Sequence, residues 1–169
     1  MNKIIKPSDI SGSLYNSELR SHGYIDVDVE DSGIIYDFRI YNRILRSGRI
    51  NLAKALSNNF GESFEYFIAG ISFGSGGTSA GSPRYVDDTR NGLFGPTVIS
   101  KPVIASINPE LPTQVTFTSV ITFDEAVGSV INEMALKMRN GDYFSMATFG
   151  DITKSSSMQL TWNWRISFI

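Results

Sequence analysis

The sequence predicts a mainly β chain: an antiparallel β-sandwich with one short α-helix and an extended N-terminal arm or hairpin. Three observations lead there. In the run Met158–Phe168, Leu160, Trp162, Trp164, Ile166 and Phe168 take every second position, with Gln159, Thr161, Asn163, Arg165 and Ser167 between them. That period of two gives a strand one apolar and one polar face. Other short β-branched or aromatic runs recur along the chain, separated by turn signals such as Asp31-Ser32-Gly33 and Asn140-Gly141. Only one stretch carries a convincing helical stripe. Short strands at this spacing, with a single helix, indicate a sandwich or barrel.

Residues 1–22 are mixed and polar, and read as an arm ordered only against a neighbour. From Tyr24, Ile25, Val27 and Val29 alternate with Asp26, Asp28 and Glu30. After the turn, Ile34, Tyr36, Phe38 and Ile40 stay in phase, completing a β-hairpin. Leu52, Leu56 and Phe60 lie four apart and predict a helix over residues 51–60, with Asn51 as N-cap and Gly61 as C-terminal stop. Residues 64–73 read as a well-buried strand. The glycine-rich segment from Gly74 opens a long loop that runs to Pro96, and a loop of this length commonly contacts something.

Residues 97–107 give a strand interrupted at Pro102. Asn108–Pro112 is a turn. Residues 114–123 place Val115, Phe117, Ile121 and Phe123 on one face. Val130, Met134 and Met138 also fit a helical spacing of four, but the following Asn140-Gly141 is a hairpin signal and favours a strand. The division expected is an arm, hairpin and short helix over 1–60 and a sandwich core over 61–169.

Composition sets limits on function. The chain has 169 residues, 15 Lys and Arg against 17 Asp and Glu, and a net charge of −2, so no overall field draws it to nucleic acid or an anionic membrane. There is no cysteine and one histidine, which removes disulfides, thiolate sites and histidine-rich metal sites. His22 sits in a polar stretch without a local Ser or Asp motif, so it reads as structural or solvent-facing. No apolar run spans a bilayer, and the N-terminus lacks a signal-peptide core, so a soluble protein made in the cytoplasm is expected. The glycines at 74–81 lack the Gly-Lys-Ser/Thr ending of a phosphate loop. Asp26, Asp28 and Glu30 read as a solvated face rather than a calcium loop. No enzyme chemistry, cofactor or metal is expected.

Several segments together carry a resemblance. They are Ile68–Thr78 (IAGISFGSGGT), Gly92–Gly95 (GLFG), Ile131–Leu136 (INEMAL), Asn140–Phe144 (NGDYF), Thr148–Lys154 (TFGDITK) and Leu160–Phe168 (LTWNWRISF). In this order and spacing, over about residues 64–169, they resemble the β-rich structural domain of tail, collar and tail-fibre attachment proteins of tailed bacteriophages. The resemblance implies a non-enzymatic virion component of the tail, baseplate, neck or collar, made in the host cytoplasm. It implies a homo-oligomer, with sixfold or twelvefold rings, whose partners are other virion proteins. Alternative readings are a capsid decoration protein, or a carbohydrate-binding module on a tail fibre, which would need a groove with exposed aromatics.

The candidate assembly contacts are two opposite charge patches and the long loop. Arg39, Arg43, Arg46 and Arg49 cluster, and Asp26, Asp28 and Glu30, with Asp31 following, supply a complementary patch for a head-to-tail neighbour. Gly74, Gly76, Gly77, Leu93 and Phe94 form the loop surface. Glu133 and Lys154, both within the resembling motifs, are expected to pair and pin the Thr153-Lys154 corner to the sheet. Trp162 and Trp164 share one face and read as core.

Overall fold

The structure, a computed structural model, describes residues 21–57 and 65–168. Two five-stranded antiparallel sheets pack face to face. The first runs β2 (Ile34–Tyr41), β1 (Ser21–Asp31), β12 (Met158–Phe168), β9 (Gln114–Ile121), β8 (Ile104–Ile107). The second runs β3 (Arg43–Ile44), β11 (Tyr143–Thr153), β10 (Val130–Met138), β4 (Ile68–Gly74), β7 (Thr97–Pro102). Between β4 and β7, β5 (Thr78–Ser79) and β6 (Ser82–Pro83) form a small hairpin of their own. The mainly β class with a single helix among the described residues is what the sequence predicts.

The alternation in β12 has the expected faces but a more central place. β12 lies between β1 and β9, hydrogen-bonded on both sides. Leu160, Trp162, Trp164 and Ile166 are sealed in the core. There Trp162 meets Phe73 at 5.1 Å and Phe149 at 5.4 Å between ring centres, joining the two sheets. Tilted rings at such distances add to the stabilisation that burial alone gives.

The boundary expected at residue 60 is not a structural one. β1 pairs with β12 from Ser21↔Phe168 to Asp31↔Met158, so the N-terminal hairpin forms two strands of the first sheet. Ile25, Val27 and Val29 enter the core, as does Ile40. The far end of the hairpin projects past the core, leaving Ile34, Ile35 and Tyr36 exposed. Residues 1–20, which hold most of the expected arm, lie outside the described residues, as does the side chain of His22.

The chain changes sheet at two single-residue junctions. Asn42 joins β2 to β3 and Val103 joins β7 to β8, so the strand expected over 97–107 is two strands in different sheets. Pro102 is tolerated because β7 is an edge strand. At the other junction the Asn42 N–H donates to the Gly23 carbonyl of the first sheet at 3.3 Å, while its side-chain amide donates to Ser145 Oγ of the second.

The helix differs most from expectation. α1 spans Arg46–Leu56, so it starts five residues early, and Asn51 is a buried mid-helix residue instead of the cap. Leu45, fully buried, occupies the N-cap with no side-chain cap. Its N–H donates to Phe144 O at 3.0 Å, and the Arg46 N–H donates to Asp88 O at 2.7 Å. Tertiary partners thus satisfy donors that a Ser or Asp cap would serve elsewhere. Asn51 Nδ2 donates to Asp142 Oδ2 at 2.8 Å, tying the helix to the β10–β11 turn. Leu56 is 78% exposed, so the predicted stripe is not the packed face, and Phe60 and Gly61 lie outside the described residues.

The β10–β11 hairpin forms as the Asn-Gly signal predicts. Gly141 has φ +94°, the Met138 N–H donates to Asp142 O at 2.8 Å, and Asn140 Oδ1 accepts from the Asp142 N–H at 3.0 Å.

Candidate functional site

The long glycine-rich loop is held from below by two consecutive residues of β10. Neighbours on a strand normally point to opposite faces, yet Asn132 and Glu133 are both buried beneath the loop. A register shift between Ile131 and Glu133 in the pairing with β11 accompanies this arrangement. The carboxylate of Glu133 accepts three backbone N–H groups. Gly76 and Gly95 donate to Oε1, each at 2.9 Å, and Phe94 donates to Oε2 at 2.6 Å. Asn132 Oδ1 accepts from the Gly77 N–H at 2.6 Å, and its Nδ2 donates to Thr78 Oγ1 at 3.1 Å and Asp151 Oδ1 at 2.9 Å. Hydrogen bonds to an ionised acceptor are about twice as strong as neutral ones, so one carboxylate joins both ends of the loop.

This geometry explains the glycines. A Cβ on Gly76 would collide with the backbone of Phe94 and Gly95, and one on Gly77 with the Asn132 carbonyl. Only a residue without a side chain lets two backbone segments close over the carboxylate. Gly74, Gly76 and Gly77 are therefore internal to the clamp, while Leu93 and Phe94 are half-buried against the cluster of Leu45, Val86, Ala135 and Met146. Arg90 covers the Phe94 ring, its guanidinium carbon 3.5 Å from the ring centre.

The expected Glu133–Lys154 pair does not form. Glu133 spends its lone pairs on the loop amides, while the buried Lys154 ammonium donates to Phe123 O at 3.1 Å and Ser155 O at 2.8 Å. Bends leave peptide groups without ladder partners, and each charge satisfies the bend nearest to it. Lys154 holds the corner by backbone bonds instead. Its backbone N–H donates to Ser129 O at 2.9 Å, and its carbonyl accepts from the Gly128 N–H at 2.8 Å. Desolvation pulls its pKa below the ordinary lysine value, with Asp124 and Glu125 partly opposing.

The two charge patches touch within one chain at one pair, Asp26–Arg39. Asp26 pairs with Arg39 at 2.6 Å and with Arg165. Burial raises the Asp26 pKa, but the Arg39 hydrogen bond and the Coulomb pull of Arg165 outweigh it and hold it below the usual range. Asp28 accepts from Asn163 Nδ2 at 3.1 Å, and Asp31 from Ser157 Oγ at 2.7 Å. Arg49 pairs with Asp88 at 2.7 Å. Glu30 lies on the same outward-facing side of β1, while Arg43 and Arg46 form no ion pair among the described residues. Cross-strand pairs of this kind stabilise a sheet face, while Asp28, Glu30, Asp31, Arg43 and Arg46 have no ion-pair partner of opposite charge among the described residues.

One ion pair sets an acid response. Lys101 Nζ lies 2.5 Å from Glu125 Oε1, and the Thr122 N–H donates to Oε2 at 2.9 Å. The Lys101 hydrogen bond, then the Thr122 N–H, bring the Glu125 pKa from 4.5 to about 2. A depressed carboxyl pKa stabilises the fold above the unfolded value and loses that contribution as pH falls through the folded one. Glu125→Gln is therefore expected to lower stability above pH 4.5, with the difference from wild type shrinking between pH 4.5 and 2. Denaturant titrations at stepped pH measure it; a difference that stays constant through that window refutes the assignment.

Two concave features accompany the clamp. An apolar cavity of about 280 Å³ opens at one end of the sandwich, lined among others by Leu52, Phe67, Phe117, Phe144 and Phe168. A second, about 220 Å³, lies between the β2–β3 junction and residues 84–86. Among the described residues no cluster of three His, Cys, Asp or Glu could hold a metal ion, and no helix is long and apolar enough to cross a membrane.

Sequence reasoning singled out the loop and Glu133 but missed the Asn132–Thr78–Asp151 network and the second cavity. Polar residues at inward phases of an apolar strand, here Asn132-Glu133 within Ile131–Leu136, are the one local signal that could have found the clamp. Comparison of the chain with protein families, with characterised proteins and with solved structures finds no match.

Proposed function

We propose that this chain is a non-enzymatic structural component of a tailed-phage virion, in the tail, baseplate, neck or collar, acting by self-association and attachment to other virion proteins. Its sequence motifs carry the resemblance, and one structural observation supports an assembly role. The sandwich leaves apolar side chains on open edges. On the edge strand β8 all four residues are exposed, with Ile104 at 76%, and at the hairpin tip Ile35 is 75% exposed. An uncovered edge strand is a template for pairing with another chain, and clustered exposed apolar residues mark interaction surfaces. Repeated contact of one such edge with a different surface on the next copy closes into a ring when the rotation permits.

The clamp gives this role a rigid platform, because a loop fixed by one buried carboxylate loses little further freedom on contact. The test is native mass spectrometry of the purified chain, joined to electron cryomicroscopy of particles that carry it. Closed oligomers are expected, with Ile104→Glu or Ile107→Lys shifting them to monomer while the melting temperature is kept. A chain that stays monomeric at high concentration and is missing from the particle overturns the proposal.

A further inference from the structure

We propose that the smaller cavity is a binding site for one carboxylate-bearing sugar residue, of the uronic or sialic acid class. Its walls are Tyr41 and Arg43 on one side and Arg84 and Tyr85 on the other, and its floor includes the buried Met146 and Ala147 of β11. The two tyrosines are 76% and 71% exposed; Tyr41 offers a flat apolar face with a polar tip, and Tyr85 the face that Arg43 does not cover. The Arg43 guanidinium carbon stands 5.4 Å from the centre of the Tyr85 ring. The Arg84 guanidinium is engaged elsewhere, its carbon 5.3 Å from the centre of the Phe94 ring, which does not line the groove. The Arg84 Nε donates to Thr78 O at 3.0 Å, and the Arg84 carbonyl accepts from Thr148 Oγ1 at 2.6 Å.

The charge at this groove has no carboxylate partner among the described residues, as is also the case at Arg46, Arg90 and Arg139. Arg39, Arg49 and Arg165 each have a carboxylate partner, whereas neither Arg43 nor Arg84 forms an ion pair among the described residues. The acid nearest in influence, Asp87, feels Arg43 but is engaged by the Thr89 hydroxyl and N–H. The planar Arg43 guanidinium at the groove suits a carboxylate, which accepts paired N–H bonds from its fork. The ring faces suit the C–H surface of a sugar.

The same features disfavour a peptide. The edge of β11 is already paired with β3 at Ser145 and Met146, and the segment at Arg84 is bonded to Thr148 just beyond. At Ser145 and Met146 an added strand, the usual way an extended peptide gains affinity, is therefore blocked. At 220 Å³ the groove is below the roughly 300 Å³ of a drug-sized site, which fits a single ring. A ligand that small, in an open groove, is held with a dissociation constant on the order of 1 mM.

Saturation-transfer NMR on the purified chain tests this, with methyl β-glucuronide, methyl β-glucoside and triglutamate as probes. The glucuronide is expected to bind near 1 mM and the glucoside about tenfold more weakly, as loss of a charge-assisted contact implies. Arg43→Ala should remove that preference and Tyr85→Ala the binding, while Tyr85→Phe keeps it. Unchanged melting temperatures show that these surface variants fold. Equal binding of the two glycosides, triglutamate binding with the same arginine dependence, or no saturation transfer at about 20 mM, twentyfold above the expected constant, each overturns the proposal.

Discussion

Glu133→Gln is expected to lower the unfolding free energy by about 3 kcal/mol and to loosen the 74–96 loop, first at Phe94. Glutamine keeps the shape, and its single oxygen retains the bonds from Gly76 and Gly95. Its amide nitrogen then faces the Phe94 N–H, which donates to Oε2 in the native side chain, so two donors meet in a site sealed from water. The remaining bonds also lose their charge-assisted character. Urea titration should show the midpoint falling by roughly 1–2 M, given the usual slope for a domain of this size. Amide exchange at Gly76, Phe94 and Gly95 should accelerate well beyond that of the β1–β12 ladder. A wild-type midpoint with native protection at these amides would show that the clamp is decorative.

The second large effect is at the core. Trp162→Ala should cost about 4 kcal/mol, as loss of a large buried aromatic leaves a cavity that neighbouring strands cannot close. The ring bridges the sheets through Phe73 and Phe149, so the loss falls on the contact that holds the two layers together. Trp162→Phe should cost far less than the alanine change, because the indole N–H has no hydrogen-bond partner and its removal leaves nothing newly unpaired. Thermal and chemical denaturation of the two variants decide it, and equal losses would contradict the packing account. Domains of this size have only about 5–15 kcal/mol to lose, so the alanine variant should be near the limit of folding.

What was legible in the sequence is what depends on near neighbours. The phase of β12 follows from residues 158–168 alone, and the hairpin at Asn140-Gly141 from a dipeptide that adopts the turn by itself. The start of α1 was hidden because Leu45 is anchored by burial and by Phe144, and the Arg46 N–H by Asp88, both distant in sequence. The clamp was hidden for the same reason, since Glu133 reaches partners 57 and 38 positions away. The charge patches were seen as types but not as neighbours. Nothing local says that Asp26 stands between Arg39 and Arg165 until β1 is known to lie between β2 and β12.

The central placement of β12 also has a temporal consequence. Asn163 and Asp28, hydrogen-bonded in the finished sheet, are 135 positions apart in sequence. A ribosome delivering the chain makes β1 and β9 well before the strand that belongs between them. Until β12 arrives, each presents a bare pairing edge, and the slot it fills is open to any extended segment of another nascent chain. Folding that must close so long a loop is slow, and the interval before closure is when such edges mispair. The strand that completes the sheet is thus also the one that ends its vulnerability.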